Sequence, residues 1–137
     1  MASRKKASRK TANPLDPRFL DLTEVVEAAK RKHGWSNNMA NHAELWYRRF
    51  LIVSQRQSTE SGTIAAVVGI EDTSDDLWHE HISQTVKYRT DCEKMFGGFL
   101  DHTPKTPNLW QMTVNDAERL YLDAFGVAPP FLGVCCI

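Results

Sequence analysis

Residues 75–96 decide the fold: Asp75-Asp76-Leu77-Trp78-His79-Glu80-His81-Ile82-Ser83-Gln84-Thr85-Val86-Lys87-Tyr88-Arg89-Thr90-Asp91-Cys92-Glu93-Lys94-Met95-Phe96. On a helix, His81 shares a face with Leu77, Thr85, Tyr88 and Cys92, and the apolar and aromatic character of that face predicts that it points inward. His79 lies two positions earlier, about 200° around the helix, on the face of Asp75 and Ser83. An unbroken helix therefore sends the two histidines to different sides, so they cannot chelate one ion together. Nor does His-Glu-His-Ile have the zincin spacing, which places histidines four apart on one face. Thr73 or Ser74 caps this helix, Asp75 and Asp76 suit its N-terminal dipole, and Gly97-Gly98 stops it near Phe96.

Working outward, the same periodicity predicts three more helices. Leu22, Val25, Val26 and Ala29 form an apolar stripe behind a Thr23 cap; Lys30, Arg31, Lys32 and His33 suit the C-terminal dipole, and Gly34 is the stop. Ser36 to Asn38 offer caps for a helix carrying Met39, Ala43, Trp46, Tyr47 and Phe50 on one face, with Leu51 and Ile52 prolonging it. Residues 55–63 are polar and read as a loop, and Ile64 to Ile70 as a short buried extended segment. Pro104 and Pro107 mark a second loop. Thr113 and Asp116 then open a helix with Val114, Ala117, Leu120, Tyr121, Ala124 and Phe125 on its core face, closed by Gly126. The expected fold is mainly α: one small helical domain of about four helices over 15–128, an irregular C-terminal tail over 129–137, and a disordered basic tail over 1–14.

Arg4, Lys5, Lys6, Arg9 and Lys10 give the first ten residues five positive charges and no acid. Removing those five from 17 basic residues leaves 12 against 17 acidic ones, so the rest of the chain is acidic although the net charge is zero. The basic tail is read either as a solvated segment or as an arm for nucleic acid or another polyanion. No apolar run approaches the roughly 20 residues that span a bilayer, and none follows the basic start as in a secretory signal. Cytoplasm, without a membrane association, is the expectation. Three cysteines, Cys92, Cys135 and Cys136, make neither a disulfide framework nor a CxxC metal knuckle.

Asp75, Trp78, His79, His81, Ile82, Thr85, Tyr88, Cys92, Phe96, Gly97, Phe99, Leu100, His102 and Pro104 together resemble the motif of the glycine-rich domain-containing protein-like family. That motif runs Val-Asp-x-x-Trp-His-x-His-Ile, then Thr, Tyr and Cys at these spacings, then Phe-Gly-x-Phe-Leu-His-His-x-Pro. Gly34-Trp35, Tyr47 to Leu51, Tyr121 and Phe125-Gly126 extend the resemblance over roughly residues 22–126. Where the family pairs two histidines this chain has Asp101-His102; Gln84 stands where an acid is common. Gly69 to Thr73 replace a Pro-containing entry, and no glycine-rich region is present. The resemblance implies a helical fold and candidate positions; the family brings no settled activity.

Two site readings follow. Asp75, His79 and His102, the last arriving from the following loop, form an oxygen-and-nitrogen set that zinc, iron or manganese accepts; the alternative is a structural Asp75–His79 pair, or a general base without metal. Trp78, His81, Thr85, Tyr88 and Cys92 are read as structural or supporting, with His81 a buried histidine bonded to a carbonyl or to Tyr88. No phosphate-binding glycine loop and no Gly-x-Ser-x-Gly elbow occurs. The expected function is a small binding or interaction module for a protein partner, with an Asp/His metal site open to it. The alternatives are a small metal-dependent enzyme using Asp75, His79 and His102, and a nucleic-acid-associated accessory protein acting through Arg4, Lys5, Lys6, Arg9 and Lys10.

Overall fold

The computed structural model describes residues 13–67, 69–101, 114–130 and 132–134. A 3-10 turn, Pro17–Phe19, leads into α1 (Thr23–His33) and α2 (Asn37–Ser61); β1 (Gly69–Glu71), α3 (Asp72–Ser83) and α4 (Thr85–Phe96) follow, then α5 (Val114–Phe125) and β2 (Leu132–Val134). The mainly helical single domain expected from periodicity is the one that forms. Basic residues crowd the last turn of α1 before Gly34, whose φ of 68° sends its amide back to the Lys30 carbonyl. Ser36 then caps α2, its hydroxyl accepting the Met39 amide at 3.1 Å.

α2 runs for 25 residues, about 37 Å of helix, and is the spine against which the others pack. The polar run over 55–63 predicts a loop, but α2 continues through it to Ser61 and stops at Gly62, at φ 79°. The polar residues that suggested a loop instead receive neighbouring backbone. Gln55 donates through Nε2 to the Leu15 and Met95 carbonyls. The Ser54 hydroxyl accepts the Val67 amide, and Ser58 both accepts from and donates to Ala65. Residues 64–67 are thus held against α2 through side chains, without a ladder, which is why, among the described residues, the expected extended segment Ile64 to Ile70 is strand only at Gly69 and Ile70, the strand running on to Glu71. It pairs antiparallel with β2, Ile70 opposite Gly133, so the expected irregular tail contains a strand.

The second correction concerns the histidine helix, which is broken at Gln84 (φ −88°, ψ 73°) into α3 and α4. A straight helix would separate His81 from Asp91 by roughly 15 Å along its axis. The 2.8 Å contact between their side chains requires the chain to fold back between them. Trp78 Nε1 donates to Tyr88 Oη at 2.9 Å across the same joint. The α3 cap also differs from expectation: Glu71 takes the N-cap, accepting the Ser74 amide at 3.0 Å.

Trp78, Tyr47, Tyr88, Phe50, Leu77 and Leu51 fill the centre of the core and are almost wholly buried. Full burial of each such side chain contributes about 1.5–3 kcal/mol. α5 closes one side through Ala117 and Tyr121, whose hydroxyl donates to the Gly69 carbonyl at 2.8 Å. Among the described residues, no helix is long and apolar enough to cross a membrane.

Candidate functional site

Three helices meet at His81, which is fully buried. Its Nε2 lies 2.8 Å from Asp91 Oδ2 on α4, and its Nδ1 lies 2.6 Å from Tyr47 Oη on α2. Lys87, one turn before Asp91, reaches the same carboxylate oxygen at 3.0 Å. The carboxylate can only accept, so Nε2 carries the proton and Nδ1 accepts the Tyr47 hydroxyl. The edge of the Tyr88 ring packs against the imidazole at 4.9 Å between centroids.

Burial pushes the His81 imidazole below its ordinary value, against the pull of Asp91. Burial alone would raise Asp91, but the hydrogen bonds from His81 and Lys87 outweigh it and hold the carboxyl below its ordinary value. The result is a neutral imidazole between a phenol and a carboxylate whose charge Lys87 balances. With His81 and Tyr47 sealed from solvent, no substrate can meet the imidazole, and the cluster's work is to join α2, α3 and α4. Cys92 is buried beside it, its thiol pushed up to about 11 by burial, which suits packing and not nucleophilic attack.

His79 takes the other side of α3, as the helical geometry required. Its side chain is 59% exposed, and its Nε2 lies 3.6 Å from Asp75 Oδ1 one turn away. His102, the third member of the expected metal set, lies outside the described residues, as do Arg4, Lys5, Lys6, Arg9, Lys10, Cys135 and Cys136. Among the described residues no group of three or more His, Cys, Asp or Glu side chains is placed to hold a metal ion. Trp78, His81, Tyr88 and Cys92 all sit in the core, whereas Thr85 is exposed at the start of α4.

A cleft of about 390 Å³ opens between α1 and the first half of α2. Asp21, Thr23, Val26, Glu27 and Lys30 line one wall; Asn37, Asn41, Glu44 and Arg48 line the other. Apart from Val26 on α1, these helical stripes at spacings of three and four are polar where two packed helices would present apolar side chains. Buried Leu20, Leu22 and Ala40 make the floor. Arg48 fixes one end: Nη1 donates to the Pro17 and Leu20 carbonyls at 2.7 and 2.9 Å, and Nε and Nη2 to Glu44. Lys30 spans the gap near the other end, donating to Asn37 Oδ1 at 2.7 Å.

Sequence reasoning placed His81 inside and His79 outside but missed the partners that matter. Tyr47 was read only as part of a core stripe, and nothing in its spacing marks the hydroxyl as a partner 34 residues from His81. Lys87 and Asp91 carried a legible signal, an i,i+4 pair of opposite charge. The cleft had one as well, since Asn37, Asn41, Glu44 and Arg48 recur at helical spacing opposite the apolar stripe of α2.

No curated protein and no solved structure matches the chain. A protein-family model does match, over residues 21–119, which takes in α1 to α4, the buried histidine, the cleft apart from Leu20 and the first half of α5. The chain belongs to the UCP032817-like family, whose function is uncharacterised.

Proposed function

We propose that this protein is a small helical binding module that receives its ligand in the cleft between α1 and α2. The observation that carries this reading is the cleft itself: two successive helices face each other with polar stripes over a buried apolar floor. Its volume falls in the roughly 300–1,000 Å³ range of small-ligand sites. The Arg48 and Lys30 contacts hold the walls in place before anything binds, which lowers the ordering cost of association. Screening a library of small polar fragments against the ¹⁵N-labelled protein should give amide shifts concentrated on Thr23, Lys30, Asn37, Asn41 and Glu44. Shifts scattered over the surface, or gathered on another face, would refute the cleft as the binding surface.

A second reading is favoured by the 3.6 Å approach of Asp75 and His79 on an exposed face of α3. Here Asp75 and His79 supply two ligands to a zinc, iron or manganese ion, with His102 as the third. Purified protein reconstituted with zinc should then hold one equivalent, and both His79→Ala and Asp75→Ala should lose it while circular dichroism stays helical. Metal-free protein after reconstitution ends this reading.

A further inference from the structure

We propose that the α1–α2 cleft takes a linear organic cation, an alkylammonium or guanidinium group on a short aliphatic body; this rests on the cleft being the binding surface. The hydrogen-bonding state of its walls points to that class. Arg48 directs its Nε, Nη1 and Nη2 donors to Glu44 and to two backbone carbonyls, and Lys30 lies on Asn37 and Glu27. The two lining cations are therefore already engaged. By contrast, among the described residues the contacts of Glu27 and Glu44 fall on one carboxylate oxygen each, while Asp21 accepts from both the amide and the side chain of Thr23. Asp21 uses Oδ1 for the Thr23 amide, Glu44 uses Oε2 for Arg48, and Glu27 meets Lys30 through Oε2.

Three carboxylates against two cations leave the lining one negative charge in excess. An anionic ligand would have to break the Arg48 and Lys30 contacts that hold the walls. A wholly apolar one would strip water from the three carboxylates without replacing its hydrogen bonds, which is costly. A ligand with N–H donors along an aliphatic chain satisfies both surfaces, its methylenes on Leu20, Leu22 and Ala40 and its donors on Glu27 and Glu44 across the gap. The same chemistry is offered by a free polyamine and by the arginine and lysine side chains of a basic peptide, the stretch Ala2–Ala12 of this chain included.

The full-length protein is titrated, at low salt, with spermidine, with uncharged 1,8-octanediol, and with a free peptide of the sequence of residues 2–12, followed by amide shifts and calorimetry. Spermidine should bind saturably, with shifts on Thr23, Lys30, Asn41 and Glu44, and octanediol should leave those amides unmoved. Glu27→Gln should weaken spermidine by about three- to tenfold, the range for losing one charged hydrogen bond at a partly solvated site. Glu118→Gln, an exposed acid on α5, should leave the affinity unchanged. Peptide shifts on the same amides would assign the cation to a basic segment, and spermidine binding without peptide binding to a free amine; either supports the proposal. Equal weakening by Glu27→Gln and Glu118→Gln, or no spermidine binding, overturns it. If polar fragments occupy the cleft while spermidine does not, the cation falls and the binding surface stands; if neither does, both fall.

Discussion

His81→Ala should lower the unfolding free energy of this protein by about 3–5 kcal/mol, the largest loss expected of any change at the described histidines. Two costs combine. The substitution opens a ring-sized cavity at the meeting point of α2, α3 and α4, where surrounding side chains relax only in part. It also orphans both partners: the Tyr47 hydroxyl loses its acceptor at 2.6 Å and the Asp91 carboxylate loses its donor at 2.8 Å. Asp91 is left with Lys87 alone at 3.0 Å. The paired control is His79→Ala, two residues away and well exposed, which should change stability by no more than about 0.5 kcal/mol. Tyr47→Phe should fall between them, at about 1–2 kcal/mol, because it removes one hydrogen bond and leaves the ring. Urea titration of the three variants decides the matter. A His81→Ala loss no larger than that of His79→Ala would show that the helices are held by apolar packing alone.

The contrast between those two histidines is what the sequence makes most legible. Side-chain direction on a helix follows from spacing, so the burial of Leu77, His81, Tyr88 and Cys92 could be read directly from residues 75–96, whereas Thr85, placed on the same face, is exposed because the break at Gln84 turns the chain there. The fold class followed for the same reason, since three of the four apolar stripes end at a glycine that the structure places at positive φ, Gly34, Gly97 and Gly126. The break at Gln84 was hidden because no glycine or proline marks it, and the middling helix propensity of Ser83, Thr85 and Val86 is too weak a signal to end a helix. It exists because two half-helices meeting at an angle can bury both Trp78 and Tyr88 against α2, with His81 and Asp91 joined across the corner. That is a tertiary cause, and local propensity does not carry it. The continuation of α2 past Gln55 was hidden likewise, because a polar helical surface that binds backbone looks, residue by residue, like a solvated loop. Of the candidate site, the polar stripe of α2 was written at helical spacing. Its meaning as a cleft wall depends on where α1 lies, which spacing within α2 does not fix.

Acidification should destabilise this protein from about pH 6.5 downward, with His81 setting the first part of the loss and Asp91 the second. The imidazole is held below its ordinary value of 6.5 by burial, so the unfolded chain takes up a proton that the folded chain resists. A group with a depressed folded-state pKa contributes its stability in full above the unfolded value and loses it as pH falls toward the folded one. For His81 that window opens at 6.5 and runs downward. Asp91, held below 3.8 by its hydrogen bonds from His81 and Lys87 against the effect of burial, has the same sign. Its contribution is present above 3.8 and disappears as the pH falls through its folded value. One proton bounds the slope in the first window at about 1.4 kcal/mol per pH unit. Urea midpoints of the wild type should therefore fall between about pH 7 and pH 5. His81→Asn, less stable throughout, should have a flatter profile over that range, because it has no buried imidazole to charge. Parallel profiles for the two proteins would place the acid sensitivity elsewhere, and a wild-type stability that rises on acidification would mean that His81 is charged in the fold.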